Sequence, residues 1–357
     1  MATRLGPAAE ADLITATATT PSPSPSPSTS DSSASSAATA PPVRLWLQPT
    51  VIALVVVAAF IGCYVGLQRD PQPHRVPVAV AGQELSGEVR QVLGDSVDVH
   101  PVADAATGRV EVERRDVVAA LSGRPDSGRL RLEVGGANGL STTTAVKSLM
   151  GAYAHGTGQR LTTVDVVPFA RFDSRGLAGF YMAFGVTLAG FALAQNALGL
   201  ANHLHLRHRF WLLSGASVAI GIVATVIAGP VLGAVPAPVM PMTFTLTLLA
   251  AAAAFTTKLL GTYLGPVGVP VATLLLLTVG NSTSGAAIGP DLLPSAARAV
   301  SALLPPGAAV RAVTDLSYFH GAQAVQPLTT LALWAVIAAV LVGLRPRLRR
   351  RRTHARG

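Results

Sequence analysis

Six stretches of this chain run almost without charge for long enough to cross a hydrocarbon core of ~30 Å: about 45 to 67, 177 to 200, 210 to 234, 238 to 257, 263 to 280 and 327 to 344. The pattern predicts an α-helical integral membrane protein with six transmembrane helices. Between the first and second stretches the period shortens. VPVAV at 76 to 80, VDVHPV at 97 to 102 and RLRLEV at 129 to 134 alternate as half-buried strands do, and TTVDVVPF at 162 to 169 closes the region. ELSGEVRQVLG at 84 to 94 and STTTAVKSLMGAYAHG at 141 to 156 read as helices, the second with Ser141 as its N-cap. Residues 68 to 176 are therefore expected to form a small α/β domain of four or five strands.

The segment 281 to 326, between the four-span bundle of 177 to 280 and the last span, predicts two short amphipathic helices. DLLPSAARAVSALL places Leu292, Leu293, Ala296, Val300, Leu303 and Leu304 on one face with Arg298 opposite. LPPG at 304 to 307 breaks the chain, and AAVRAVTDLSYF resumes with Arg311 four residues before Asp315, the spacing of an ion pair on one helix. Neither helix is long enough to span. They should lie in the interface, re-enter the bilayer, or form a lid over the bundle.

Composition narrows the function. Half of the 357 residues are hydrophobic, only 13% are charged, and the mean hydropathy is +0.47, far from a soluble enzyme. Residues 1 to 44, with PSPSPSPS at 21 to 28, have little to bury and are expected to be a disordered tail. The lone Cys63 excludes a disulfide framework and a thiolate metal site. Phe60-Ile61-Gly62-Cys63 only loosely resembles a lipidation motif, and Cys63 reads as a packed span residue. Of the two lysines, Lys147 follows Val146 and Lys258 follows Thr257, so no phosphate-binding loop of the Gly-Lys-Ser/Thr type is present.

Charge orients the spans. With the N-terminus inside, the cytoplasmic pieces carry Arg4, Arg44, Arg207, Arg209, Lys258 and seven arginines from Arg345 to Arg356 against Glu10, Asp12 and Asp31. This accounts for the whole net charge of +9. Residues 68 to 176 hold 13 basic and 13 acidic groups, and 281 to 326 balance Arg298 and Arg311 with Asp291 and Asp315. The α/β domain is thus expected outside and both termini inside, with 345 to 357 a basic cytoplasmic tail. The basic excess is topological and predicts contact with the lipid bilayer, not nucleic acid.

No catalytic constellation stands out. His100, His155 and Lys147 are scattered, no Gly-x-Ser-x-Gly elbow occurs, and the chain is not expected to be an enzyme or to hold a cofactor of its own. Span interiors lack charge, which argues against a proton relay. Their milder polar groups, Gln195, Asn196, Thr243, Thr245, Thr247 and Asn281-Ser282-Thr283-Ser284, are expected to hydrogen-bond between helices. In HLHLRHR at 203 to 209 no carboxylate or thiolate accompanies His205 and His208, so the loop reads as a basic anchor.

The order of elements and several strings within 45 to 345 resemble the phage-infection-protein (YhgE/Pip) group of bacterial membrane proteins, which is grouped with ABC exporter permeases of the second type. The strings are VPVAV after the first span, DVVPFARFDSRGLAGFYMAFG at 165 to 185, and GNSTSGAAIGPDLLP with LLPPGAAVRAVTDLSYFHG at 280 to 321. The last resembles the family stretch most, at Asn281, Ser284, Leu293, Pro294, Leu304, Pro305, Pro306, Gly307, Tyr318 and Phe319. The resemblance implies a homodimer or heterodimer of permease subunits in the bacterial plasma membrane. It also implies outward transport driven by separate cytoplasmic ATPase subunits, ATP binding there and not on this chain. Force would enter through residues 41 to 50 or the loop 201 to 209, with His205, Arg207, His208 and Arg209 as the coupling residues. PPVRLWLQPT departs from the family, since its three prolines argue against a helix before the first span. The competing expectation is a membrane-anchored receptor or envelope scaffold acting through the α/β domain.

Overall fold

The computed structural model describes residues 44–69, 71–124, 128–200 and 205–354, and the side chains of 44–46, 68, 124 and 345–354 fall outside that description. The expected tail before residue 44, the loop residues 201–204 and the side chains of the C-terminal arginines lie outside the described residues.

Among the described residues, five strands and three α-helices build the α/β domain. β1 (Val76–Ala81) lies between β2 (Val97–Val102) and β3 (Ala119–Arg124), all three parallel. β4 (Arg129–Val134) runs antiparallel to β3, and β5 (Arg160–Asp165) parallel to β4, giving the order β2-β1-β3-β4-β5. The register sets Val78 beside Val99 on one side and Ala119 on the other. Alternation then sends Val76, Val78, Val80, Leu130 and Leu132 to one face, where they meet Leu85 and Val89 of α2 (Gln83–Leu93) and Val146 and Met150 of α4 (Leu140–Gly156). The opposite face buries Ala79 and Ala120 under Val112 of α3 (Ala105–Glu113). Each fully buried Val or Leu contributes about 1.5–3 kcal/mol, so these two layers suffice for one modest core.

Asp104 starts α3, its carboxylate accepting the Thr107 N–H at 2.8 Å. Ser141 has a different role from the N-cap expected of it. Gly139 caps α4, and the Ser141 hydroxyl accepts the Gly289 N–H from another part of the chain at 3.0 Å.

Around and beyond this domain the chain is helical. Among the described residues, five helices are long and apolar enough to cross a membrane: Leu47–Leu67 in α1 (Arg44–Gln68), α5 (Ala178–Gly199), Leu206–Val231, the 44-residue run Val239–Ser282, and Val325–Leu344 in α12 (Val325–His354). α1 runs through Pro49; six residues in, the ring costs at most the bond to the Leu45 carbonyl. α6 (Leu206–Val226) widens into a π-turn at Ile227–Val231, around Pro230.

α7 (Val239–Leu264) is the hub, packed against α5, α6 and α12. Glycines permit the close approach. A Cβ on Gly190 would lie 2.6 Å from the Ala250 carbonyl oxygen, and one on Gly221 2.8 Å from the Thr247 nitrogen. After α7, Gly265 takes φ 63° and one 3-10 turn follows. Gly268 then sits so close to the Leu260–Gly261 backbone that no side chain would fit. The chain continues through α8 (Gly268–Ala272), a π-turn at Thr273–Val279 and α9 (Gly280–Ser282). Lys258, expected in a loop, lies inside α7, buried, where its ammonium donates to the Ala197 carbonyl at the end of α5 at 3.0 Å. The last carbonyls of a helix lack intrahelical donors, and a cation there also suits the helix dipole.

The span hydroxyls mostly return to their own helices. Thr245 donates to the Pro241 carbonyl, Thr187 to Ala183, Ser217 to Leu213, and Thr283 to Val279, each four residues back, while the Asn196 amide donates to Ala192. Back-bonding satisfies a hydroxyl without a second helix, which overturns the interhelical expectation at Thr245, Asn196 and Thr283.

Candidate functional site at the junction of sheet and helices

α10 (Ser295–Leu303) and α11 (Pro305–Tyr318) are the two short helices expected after the bundle. Pro305 and Pro306 occupy the first turn of α11, where a missing N–H costs nothing. Gly307 lets this turn close on α10, since a Cβ there would strike the Ser301 carbonyl. Only 14 residues long, α11 is about 21 Å in length, yet it is buried along most of its face against α5, α7, α9 and α12. α10 differs from the expected orientation. Ala296 and Leu303 face outward, while Ser301 is buried and Arg298 turns inward to the Pro290, Asp291 and His74 carbonyls.

The expected Arg311–Asp315 pair does not form. Arg311 donates to the Ser301 and Ala302 carbonyls and the Ser301 hydroxyl at 3.1–3.2 Å, serving the otherwise unpaired end of α10. Asp315, wholly buried, faces Arg115 of the α/β domain instead, Oδ1 to Nη1 3.7 Å, while its Oδ2 accepts the Gln323 N–H at 2.8 Å. Arg115 reaches it from a left-handed backbone position just past α3, φ 65°. From there it also donates to the Asn138 amide oxygen and the Arg311 carbonyl, and stacks 5.2 Å from the centre of the Phe319 ring. Burial pulls Arg115 below the usual guanidinium range, with Asp315 opposing. It pushes Asp315 above the usual carboxylate range, against Arg115. Burial and the repulsion of Arg115 bring Arg311 down to about 10.

Tyr318 and Phe319 complete the joint. Phe319 is buried with Ala137 and Val167 of the α/β domain. The Tyr318 hydroxyl lies 3.4 Å from Asp173 Oδ2 and its ring meets Phe169 edge-on; burial raises its pKa to about 12. Asp173 Oδ1 accepts the Leu177 and Ala178 N–H groups, capping α5. One carboxylate thereby ties the chain entering the bundle to the end of α11.

Of the residues singled out from sequence, the structure brings most of the outer set together. Pro306 packs on Gly280 beside Asn281, and Ser284, Tyr318, Arg115, Asn138 and Arg311 line one cavity of about 40 Å³. Both polar atoms of the Asn281 amide and the Ser284 hydroxyl are buried without a partner among the described residues. Pro294 is exposed, at the start of α10. His205, Arg207, His208 and Arg209 lie at the far end of α6 from this cavity, about 30 Å of helix away. His205, Arg207 and His208 are exposed, and Arg209 is half-buried. The histidine rings stand 5.9 Å apart, and no cluster of metal-ligating side chains occurs among the described residues.

Sequence reasoning missed Arg115, Asn138 and Asp173. Arg115 stands in the run ERRD, which reads as a solvated face. Asp173 had a signal, a carboxylate a few residues before an apolar helix. Comparison of the chain with protein-family models, with curated proteins and with solved structures returns no significant match. What the structure shows is a mostly helical chain with, among the described residues, five helices long and apolar enough to cross a membrane and an α/β domain packed against one end of them.

Proposed function

We propose that this chain is the membrane-embedded subunit of an exporter driven by a separate cytoplasmic ATPase, in a bacterial plasma membrane with both termini inside. The observation that carries the proposal is α11: a 14-residue helix, too short to cross, packed among α5, α7 and α12 next to the α/β domain, which we read as re-entering the bilayer. A passive anchor has no need of a broken helix pair inside its bundle, whereas a moving part at the exit of a path does. In this reading the run Val239–Ser282, which would be about 66 Å long if straight, turns at Gly265 and crosses twice, for six crossings in all. Arg207 and Arg209 then face the cytoplasm as the contact for the ATPase, and the rigid joint at Arg115 moves the α/β domain with α11. Two such subunits, alike or different, would complete the pathway.

Gentle-detergent purification of the full chain followed by mass spectrometry tests this: a stoichiometric ATPase subunit supports the proposal. The second reading, a receptor or envelope scaffold, is favoured by β5, an edge strand with Arg160, Thr162 and Thr163 exposed. Envelope partners bound to residues 68–176, with no ATPase, would support it.

A further inference from the structure

Between α5 and α6 runs an open groove of about 670 Å³, within the range of small-molecule sites. Its walls are almost wholly apolar, with Met182 and Val186 on one side and Ile220 and Val223 on the other. Small residues deepen it, notably Gly185, where an added Cβ would meet nothing within 4 Å. The two helices diverge here because each packs along α7 more than against its neighbour, and because α6 widens into its π-turn.

The groove has a length and a polarity. On α5 it extends from Ala178 to Ala189, about 17 Å, close to half of a ~30 Å hydrocarbon core, which is one leaflet. At its α/β-domain end, Phe172 packs against Gly233, next to the lining residue Leu232, and carries the Arg171 guanidinium 5.7 Å from its ring. Arg175 precedes the lining residue Ala178 by three positions. Both arginines are exposed and neither pairs with a carboxylate among the described residues. Tyr181, exposed at the same end, is of the type that settles at headgroup depth.

We infer that this groove binds one acyl chain of an anionic phospholipid from the leaflet on the α/β-domain side, with the lipid phosphate held by Arg171 and Arg175. A one-leaflet apolar slot ending in two unpaired guanidiniums fits that occupant, and beyond Tyr181 at its headgroup end its lining side chains carry no hydrogen-bonding group for a polar solute. The inference rests on the membrane placement of α5 and α6, not on ATP-driven transport.

The test uses the full chain in vesicles containing phosphatidylglycerol or phosphatidylcholine with a photoreactive acyl chain, read out by peptide mapping. Label should concentrate on 178–189 and 219–234 and favour phosphatidylglycerol. Gly185→Leu, placed in the slot at a position where a Cβ meets nothing within 4 Å, should reduce that label several-fold. Arg171→Gln and Arg175→Gln, surface changes that leave the helices' packing intact, should each reduce the phosphatidylglycerol preference about five-fold. Label spread evenly over the exposed faces of α1 and α12 and insensitive to Gly185→Leu would overturn the site. Groove label equal for both lipids in the unaltered chain would overturn the phosphate contact. Absence of an ATPase partner would leave all these results unchanged, so the two proposals fail separately.

Discussion

Arg115, just past α3 in the α/β domain, and Asp315, in α11, face each other at 3.7 Å with the carboxylate wholly buried. The contact makes the domain and the short helix one mechanical piece. Burial opposes the charged form of both partners, holding the carboxylate above its usual range and the guanidinium below its own. Removing either partner should therefore strand a buried charge.

Arg115→Met is expected to destabilise the protein by about 3 kcal/mol at neutral pH, the cost of stranding a buried charge. Asp315→Asn, which strands the Arg115 guanidinium, should also destabilise, and the double variant should recover most of the loss. Thermal unfolding in detergent, run as a double-mutant cycle, measures each term.

The sign of the pH dependence follows from the same shift. A carboxyl whose folded pKa is raised contributes stability that is fully present below its ordinary value of 3.8 and is lost as pH rises through the folded value. Arg115→Met should regain stability as pH is lowered through that window, and should not regain it when Asp315 is Asn. Unfolding curves at a series of acidic pH values check this.

Tyr318 gives a spectroscopic handle. With its pKa raised to about 12, as is that of Tyr153 beside Glu88, it should stay protonated when ordinary tyrosines ionise near 10. Ultraviolet titration should show a late component that shrinks in Tyr318→Phe. The folded state's advantage from this group is complete below pH 10 and disappears as pH rises through about 12. Loss of the Asp173 contact should itself cost about 1 kcal/mol.

Much of this was legible in sequence because periodicity reports burial. The strands β1, β2 and β4 alternate as RLRLEV does, and the apolar runs mark the helices of the bundle. β3 hid within DVVAAL because a central strand covered on both faces shows no alternation. RVEVE alternates as a strand would and yet ends α3, where the Asp104 cap and packing of Val112 on the sheet override the pattern. In the candidate site, Tyr318, Phe319 and the Pro-Pro-Gly turn could be picked out. Arg115 could not, since a cation that pairs across the fold leaves no local trace.

Close helix packing separates two kinds of glycine. Gly190→Val and Gly221→Val should each destabilise the bundle by about 1–3 kcal/mol, because a Cβ meets the α7 backbone. Gly215→Val, on the same helix as Gly221 with nothing within 4 Å, should be nearly neutral. Melting temperature and size-exclusion profile distinguish them.

The proposed topology of six crossings predicts opposite sides for two surfaces. In a Cys63→Ala background, a single cysteine at exposed Thr163 should react with a membrane-impermeant maleimide from outside intact cells. One at exposed Arg207 should react only after permeabilisation.

ATP hydrolysis by the purified complex reconstituted in lipid tests the central claim most directly. The exporter account predicts activity that depends on this chain and falls several-fold when Arg207 and Arg209 are both changed to Glu, with the complex weakened but this chain still folded. A clean preparation of the intact chain with no ATPase subunit and no chain-dependent hydrolysis would contradict it.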